Sequence, residues 1–300
     1  MSQTHALEEF RETHYLEISG ARVCYRRAGA GPALVLFHGY PLSGWTWRKL
    51  IPDLARHFTC YAFDLVGLGG SDSSDNTDFT SPGQGRVFQR ALRELGVTSY
   101  ALMGNDSGGW VARELAVLEP ERVTRLLLTN TEIPNHRPPT VWLYQRLAKV
   151  PGGSYLFRSM LATSLWRKSH FGLGGCFQDP DRVDEPEFFD AFLRPLLDSH
   201  ERLLRALRFL VLMQLVRVDD FAELHKRLTM PTAFVWGEDD PTFEEPCARE
   251  MAKQFPNVAF FKSIPKAKLF LHEEFVGEVL PPALEFLTGG AESSSASAAP

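Results

Sequence analysis

Apolar positions along this chain fall into two alternating patterns. Three short runs, at 33–37, 123–129 and 231–236, are almost continuously apolar and rich in Leu and Val. Weaker runs lie at 22–25, 59–63, 100–103 and 258–261. A run of this length with no polar side reads as a strand covered on both faces, as in a parallel sheet. Between the runs the apolar residues return every three or four positions, at 47–57, 85–95, 110–118, 244–255 and 274–287, which predicts helices. Strand and helix therefore alternate, and the pattern predicts a doubly wound α/β sheet. Segments 15–19 and 22–27 flank Gly20 and predict an antiparallel hairpin at one edge.

The alternation stops between 131 and 218. That stretch carries helical patterns broken at Pro138-Pro139, Pro151–Gly153, Gly172–Gly175 and Pro186, with no good strand. It reads as a helical cap inserted over the carboxyl edge of the sheet, where open α/β sheets bind their ligands. The expected organisation is a core of 1–130 and 219–288, a cap of 131–218 and a tail of 289–300. The tail is Gly, Ser, Ala and Pro with one Glu, too polar and small to build a core, and is expected to be disordered. Trp142, Tyr144, Tyr155 and Trp166 either wall an apolar pocket or form the interior of the cap.

Composition narrows the classes of function. Apolar residues make up 44% of the 300, enough for a sizeable core. The formal net charge is −5 and no long basic run occurs, so neither a nucleic-acid nor a membrane partner is expected. Residues 1–11 are polar and lack the apolar stretch of a signal peptide. The longest apolar run, 209–216, is interrupted by Gln214 and is too short to span a bilayer. Cys24, Cys60, Cys176 and Cys247 are scattered without metal-ligand spacing, which fits a reduced, cytoplasmic chain. Neither a Walker loop nor a dinucleotide fingerprint is present, so no cofactor or metal is expected. Monomer and homodimer both remain open.

The chemistry begins at Met103-Gly104-Asn105-Asp106-Ser107-Gly108-Gly109-Trp110, between an apolar strand and a helical pattern. This is the setting of a nucleophile elbow, whose tight turn demands small residues two before and two after the nucleophile. Gly104 and Gly108 satisfy that demand with Asp106 at the centre. With Ser107 at the centre, Asn105 would fill the crowded position. The same letters mimic the Gly-Asp-Ser-Gly-Gly signature of trypsin-like proteases, but that fold is all-β. The other reading is a Gly-rich turn with Asp106 capping a helix.

Three further segments follow predicted strands: His38-Gly39-Tyr40-Pro41, then Asp64 through Gly67-Leu68-Gly69-Gly70-Ser71-Asp72, then Trp236-Gly237-Glu238-Asp239-Asp240-Pro241. Together with the elbow they resemble the α/β-hydrolase superfamily. The similarity is to the branch of epoxide hydrolases and haloalkane dehalogenases. It implies a mostly parallel eight-stranded sheet flanked by helices, with an inserted cap. It also implies that Asp106 attacks a carbon of a small apolar substrate, forming an alkyl ester. By the same resemblance, the backbone N–H groups of Tyr40 and Ser107 form the oxyanion hole. Asp240 matches the acid after the seventh strand, and Glu132 stands where some dehalogenases place theirs.

Two departures bear on the reaction. The family histidine precedes a stretch matched here by Phe270-Leu271-His272-Glu273-Glu274, and Leu269 occupies its place. Leucine accepts no proton, so the water-activating base is missing. His272 is expected at the surface, one helical turn away; cap residues His136 and His170 are the other histidines to consider. Asp106, Asp240 and Glu132 are expected to crowd the site without a cation, which favours a protonated Asp106 acting as an acid. The second departure is Ser107, where dehalogenases carry a halide-binding Trp. It shifts the expectation toward epoxide opening, with Tyr144 and Tyr155 as possible donors to the ring oxygen. Two functions follow: an Asp-nucleophile hydrolase, or a non-hydrolytic homologue that binds an apolar ligand or uses Asp106 in acid/base chemistry.

Overall fold

The computed structural model describes residues 3–74, 76–212 and 221–290. Eight strands form one sheet: β1 (His14–Ile18), β2 (Ala21–Ala28), β3 (Ala33–Phe37), β4 (Thr59–Phe63), β5 (Tyr100–Asn105), β6 (Val123–Thr129), β7 (Thr232–Gly237) and β8 (Val258–Ile264). Their spatial order is β1-β2-β4-β3-β5-β6-β7-β8. Only β2 runs antiparallel to its neighbours, β1 and β4; every pairing from β4 to β8 is parallel. The predicted hairpin at the edge is there, with Ser19 and Gly20 at positive φ in its turn.

The continuous apolar runs bury both of their faces. Along β3, Val35 and Phe37 join one hydrophobic cluster while Leu34 and Leu36 join the other. Leu126 and Leu128 of β6 face the first, and Leu127 the second. Alternating side chains of a pleated strand thus feed a layer of helices on each side of the sheet. The Ser81–Glu94 helix starts where the Thr80 side chain accepts the Gly83 N–H. It buries Phe88, Ala91 and Leu92 on the three-to-four spacing. The predicted helix over 47–57 proves shorter and tighter, a 3₁₀ turn at Gly44–Lys49 followed by Ile51–Leu54.

One element was not expected. Residues Gln3–Arg11 form a helix whose Ala6 and Phe10 are buried, with Phe10 stacked on Trp45 at 5.7 Å. Its two buried residues, four apart in a largely polar stretch, carry too weak a period to be read from sequence.

Between β6 and β7 the described residues contain helices and no strand, from Pro139–Lys149 to Phe221–His225. The expected C-terminal boundary of this insertion, residue 218, lies outside the described residues, as does most of the expected tail. Among the described residues no helix is long and apolar enough to cross a membrane.

The carboxyl ends of β3 and β5 are where the chain diverges. From β3 it continues to β4 on one side, and from β5 to β6 on the other. Such a switch point opens a crevice outside the strand ends. The pairing of Phe37 with Gly104 places the loop after β3 beside the residues after β5.

Candidate active site

Asp106 follows β5 and precedes the Ser107–Leu118 helix. Its backbone has φ 50° and ψ −134°, strained for a residue with a side chain. The surrounding glycines make the turn possible. A Cβ on Gly104 would lie 2.7 Å from the Gly108 carbonyl oxygen, and one on Gly108 would lie 2.3 Å from that of Phe37. A Cβ on Gly39 would stand 2.6 Å from the Cβ of Asp106. The backbone after β3 therefore passes directly against the Asp106 side chain.

That approach positions a donor. The Tyr40 N–H donates to Asp106 Oδ2 at 2.7 Å, and the Ser107 N–H also bonds the carboxylate. Both of the expected oxyanion donors thus face Asp106. The Asp106 N–H is anchored on the Asn130 carbonyl at 2.8 Å. Burial raises the Asp106 pKa well above the usual carboxylate value, and Glu132 raises it further. The two N–H groups oppose the shift, and more distant Asp240 adds to it.

Asp240 follows β7 and is buried. Its Oδ2 accepts from Asn130 Nδ2 at 2.6 Å and its Oδ1 from the Thr242 N–H at 2.8 Å. Burial pushes its pKa up to about 6 despite those donors. Asn130 also accepts the Gly237 N–H at 2.7 Å, so one amide ties the loop after β6 to the loop after β7.

Glu132 lies behind the elbow, and it does have a cation. Arg113, fully buried on the Ser107–Leu118 helix, stands 3.7 Å from its Oε2. The expectation of acids crowded without a cationic partner is thereby corrected. The guanidinium also donates to the Glu132 carbonyl, to Gly109 O and to Thr131 Oγ1. Thr131 Oγ1 lies 2.8 Å from the Asp106 carbonyl and 2.7 Å from Glu132 Oε2. Burial outweighs the pull of Arg113, and the Glu132 pKa is raised.

Above Asp106 lies a cavity of about 180 Å³ with mostly apolar walls. The core contributes Tyr40, Asp106, Thr242 and Leu269; the cap contributes Tyr144, Phe157, Trp166, His170 and Leu207, among others. Of the four aromatic residues singled out in the cap, Tyr144 and Trp166 line it. Trp142 and Tyr155 do not, and they are 50% and 69% exposed. The Tyr144 hydroxyl is buried with no hydrogen-bond partner, and burial pushes its pKa up to about 12. A phenol in this state is neutral and keeps a proton to donate.

Leu269 lies in the loop after β8, and its side chain lines the same cavity. Its carbonyl accepts from Asn105 Nδ2 at 3.0 Å, so the residue before Asp106 fixes this loop. His272 does not line the cavity, and the expectation of a surface position is also corrected. It is fully buried beneath Trp47, with Nε2 2.7 Å from Thr46 Oγ1 and Nδ1 without a partner. Burial lowers its pKa to about 4. His38 is likewise buried and structural: its Nε2 accepts the Leu65 N–H at 2.9 Å. His136 Nε2 lies 2.6 Å from the Thr242 carbonyl, outside the cavity wall. His170, at the cap end of the cavity, is the one histidine lining it among the described residues.

Sequence reasoning assigned no role to Asn105, Asn130, Thr131 or Arg113. Asn130 and Thr131 stand between the predicted strand 123–129 and Glu132, and that position was the available signal. Arg113 left none, because a charged residue on a helix reads as solvated until its burial is known. Among the described residues no group of three His, Cys, Asp or Glu side chains is placed to hold a metal ion.

Comparison with known proteins agrees with this architecture. A family model described as alpha/beta hydrolase fold matches residues 32–275. A soluble epoxide hydrolase of Corynebacterium sp. (strain C12) is 38% identical over 115 residues, which is 38% of this chain and 40% of that protein. Haloalkane dehalogenase 2 of Mycobacterium tuberculosis is 32% identical over 120 residues, 40% of this chain and 42% of that protein. The matches thus span about two fifths of these curated relatives. A solved epoxide hydrolase without ligand shares the fold, with a TM-score of 0.77 and 24% identity over 93% of this chain and 99% of that one.

Proposed function

The chain belongs to the alpha/beta hydrolase fold family, and from that premise we propose that it acts on a small apolar epoxide through Asp106. One observation carries the reading. The Asp106 carboxylate, held by the Tyr40 N–H at 2.7 Å, shares an apolar cavity of about 180 Å³ with Tyr144, whose hydroxyl is buried and has no hydrogen-bond partner. An epoxide needs a nucleophile at a ring carbon and a donor at the ring oxygen. In the proposed step Asp106 attacks the carbon, the C–O bond breaks, and the oxygen takes the Tyr144 proton. The product is a hydroxyalkyl ester on Asp106, and the phenolate regains its proton from water. A haloalkane is the less favoured substrate, because Ser107 offers no indole N–H to a departing halide. The named activities of the curated relatives support this class of substrate.

The second half of the cycle, hydrolysis of the ester, lacks its usual base. Leu269 lines the cavity where the histidine of the family is expected. The ester is therefore expected to accumulate. A non-hydrolytic role, with Asp106 protonated as an acid, is the second reading; the raised Asp106 pKa favours it.

Intact-protein mass spectrometry after incubation with a panel of epoxides and haloalkanes tests the proposal, with Asp106→Ala as control. An epoxide adds its whole mass to the protein; a haloalkane adds its mass less that of the acid HX. We expect a stable epoxide adduct, absent from Asp106→Ala and formed at least about tenfold more slowly by Tyr144→Phe. Leu269→His is expected to convert accumulation into diol release. Absence of both adduct and product across the panel overturns the nucleophile reading in favour of the non-hydrolytic one.

A further inference from the structure

We propose that the outer face of the cap, built by the helices Pro139–Lys149, Gly153–Ala162 and Ser164–Lys168, docks on the surface of an anionic lipid bilayer. Two independent features of this stretch converge. Between residues 133 and 178 the chain carries six lysines and arginines and no aspartate or glutamate, in a protein whose formal net charge is −5; Arg167 and Lys168 are paired with Asp184 and Asp181, and Arg146, Lys149 and Arg158 stay exposed. The same stretch exposes large apolar side chains: Trp142 at 50%, Leu143 at 42%, Tyr155 at 69%, Leu156 at 44% and Leu165 at 84%. The Pro139–Lys149 helix has no buried residue at all.

The arrangement fits a headgroup region. Trp142 and Arg146 lie four residues apart and so share one stripe of the helix, with Arg146 4.1 Å over the Trp142 ring. Lys149 and Arg158 are exposed and form no ion pair among the described residues. Cations beside exposed Trp, Tyr and Leu are the composition of a helix lying in the plane of a membrane interface. No single run of basic residues marks the feature in the sequence, because the cations are spread over three helices. Charge also decides against a second copy of the chain as the occupant. A symmetric dimer through this face would set its cations against their own copies.

The face is continuous with the cavity. Phe171 is 53% exposed and also lines the cavity above Asp106, as do Thr140, Val141 and Trp166 from the same helices. A bilayer at this face would place an apolar substrate at the cavity mouth. That consequence rests on the proposed function, whereas the docking itself does not.

Flotation with unilamellar vesicles tests the docking, using phosphatidylcholine alone and phosphatidylcholine with phosphatidylglycerol. The protein is expected to float with the anionic vesicles, less with neutral ones, and less at high salt. The triple variant Arg146→Gln/Lys149→Gln/Arg158→Gln should lower the anionic partition coefficient by about fivefold per cation removed. Trp142→Ala/Leu165→Ala should lower it on both vesicles. These exposed sites lie outside the cavity, so circular dichroism melts and Asp106 adduct formation serve as controls for folding. Equal binding to both vesicles, or binding indifferent to the triple variant, overturns the proposal. So does self-association in sedimentation velocity that Trp142→Ala/Leu165→Ala abolishes, with no vesicle binding.

Discussion

At the scale of single residues, protonation states set what the site does. The Asp106 pKa is raised, chiefly by burial and then by Glu132, so its ionised form, the one the proposed attack requires, is withheld at low pH and appears as pH rises. Adduct formation with an epoxide should therefore increase with pH up to a plateau. A rate that falls as pH rises from acid would mean that the protonated form is the active one. His272 contributes to stability in the same direction. Its folded pKa of about 4 lies below its unfolded value of 6.5. Above 6.5 neither state binds a proton and the stability is complete. As pH falls through the window to about 4, only the unfolded chain takes up the proton and stability is lost, by up to about 3 kcal/mol. Glu273, held low by Arg48 and Lys49 against the cost of its burial, adds to the loss at the acid end. Urea unfolding between pH 4 and 7 should show a shallower pH dependence in His272→Asn than in the parent. Equal slopes would remove His272 from the account.

At the scale of elements, the elbow depends on atoms that are not there. Gly108 faces the Phe37 carbonyl so closely that a methyl group would sit 2.3 Å from its oxygen, which is backbone and cannot rotate away. Gly108→Ala should cost at least about 2 kcal/mol and displace β3 from the Ser107–Leu118 helix. Chemical denaturation measures the cost, and loss of the epoxide adduct reports the lost geometry. Gly85, on the Ser81–Glu94 helix, gives the comparison. Its nearest neighbours are the Glu114 Cβ at 3.2 Å and the Leu115 N at 3.4 Å, a tight contact and not an overlap, so Gly85→Ala should cost less. The same glycine requirement made the elbow legible in the sequence. The role of Arg113 was not legible, because only the burial of its helix reveals that it faces Glu132.

At the scale of the whole molecule, the cap is fastened to the core at the sheet's carboxyl edge. Glu274 accepts the Gln178 and Asp179 N–H groups at 2.7 and 2.9 Å, and the Phe270 N–H donates to the Cys176 carbonyl at 3.2 Å. Arg48 joins Glu187 of the cap at 2.6 Å to Glu273 of the core at 2.7 Å. Of these residues Cys176 lines the cavity, so loosening the contacts should free that edge of the cap without disturbing the sheet. Glu274→Ala is expected to speed hydrogen exchange of the Gln178 and Asp179 amides at least about tenfold, with β5 and β6 unchanged. Exchange accelerated equally across the sheet would indicate general destabilisation, not a released cap.

What the sequence determined by itself is the frame: the continuous apolar strands, the alternation with helices, the strand-free insertion and the small residues around Asp106. Each follows from local physics, since burial on two faces, helical period and turn geometry all leave marks on adjacent residues. Tertiary structure alone decided which charges are paired and which rings face the cavity. Tyr144 and Tyr155 have no local difference that separates them, yet one lines the cavity with its hydroxyl buried and the other ring lies against His200 in solvent. His272, polar and near a helix start, became buried only because Trp47 and Thr46, over 200 residues earlier in the chain, close over it. Such facts depend on contacts between distant segments, and no window of neighbouring residues contains them.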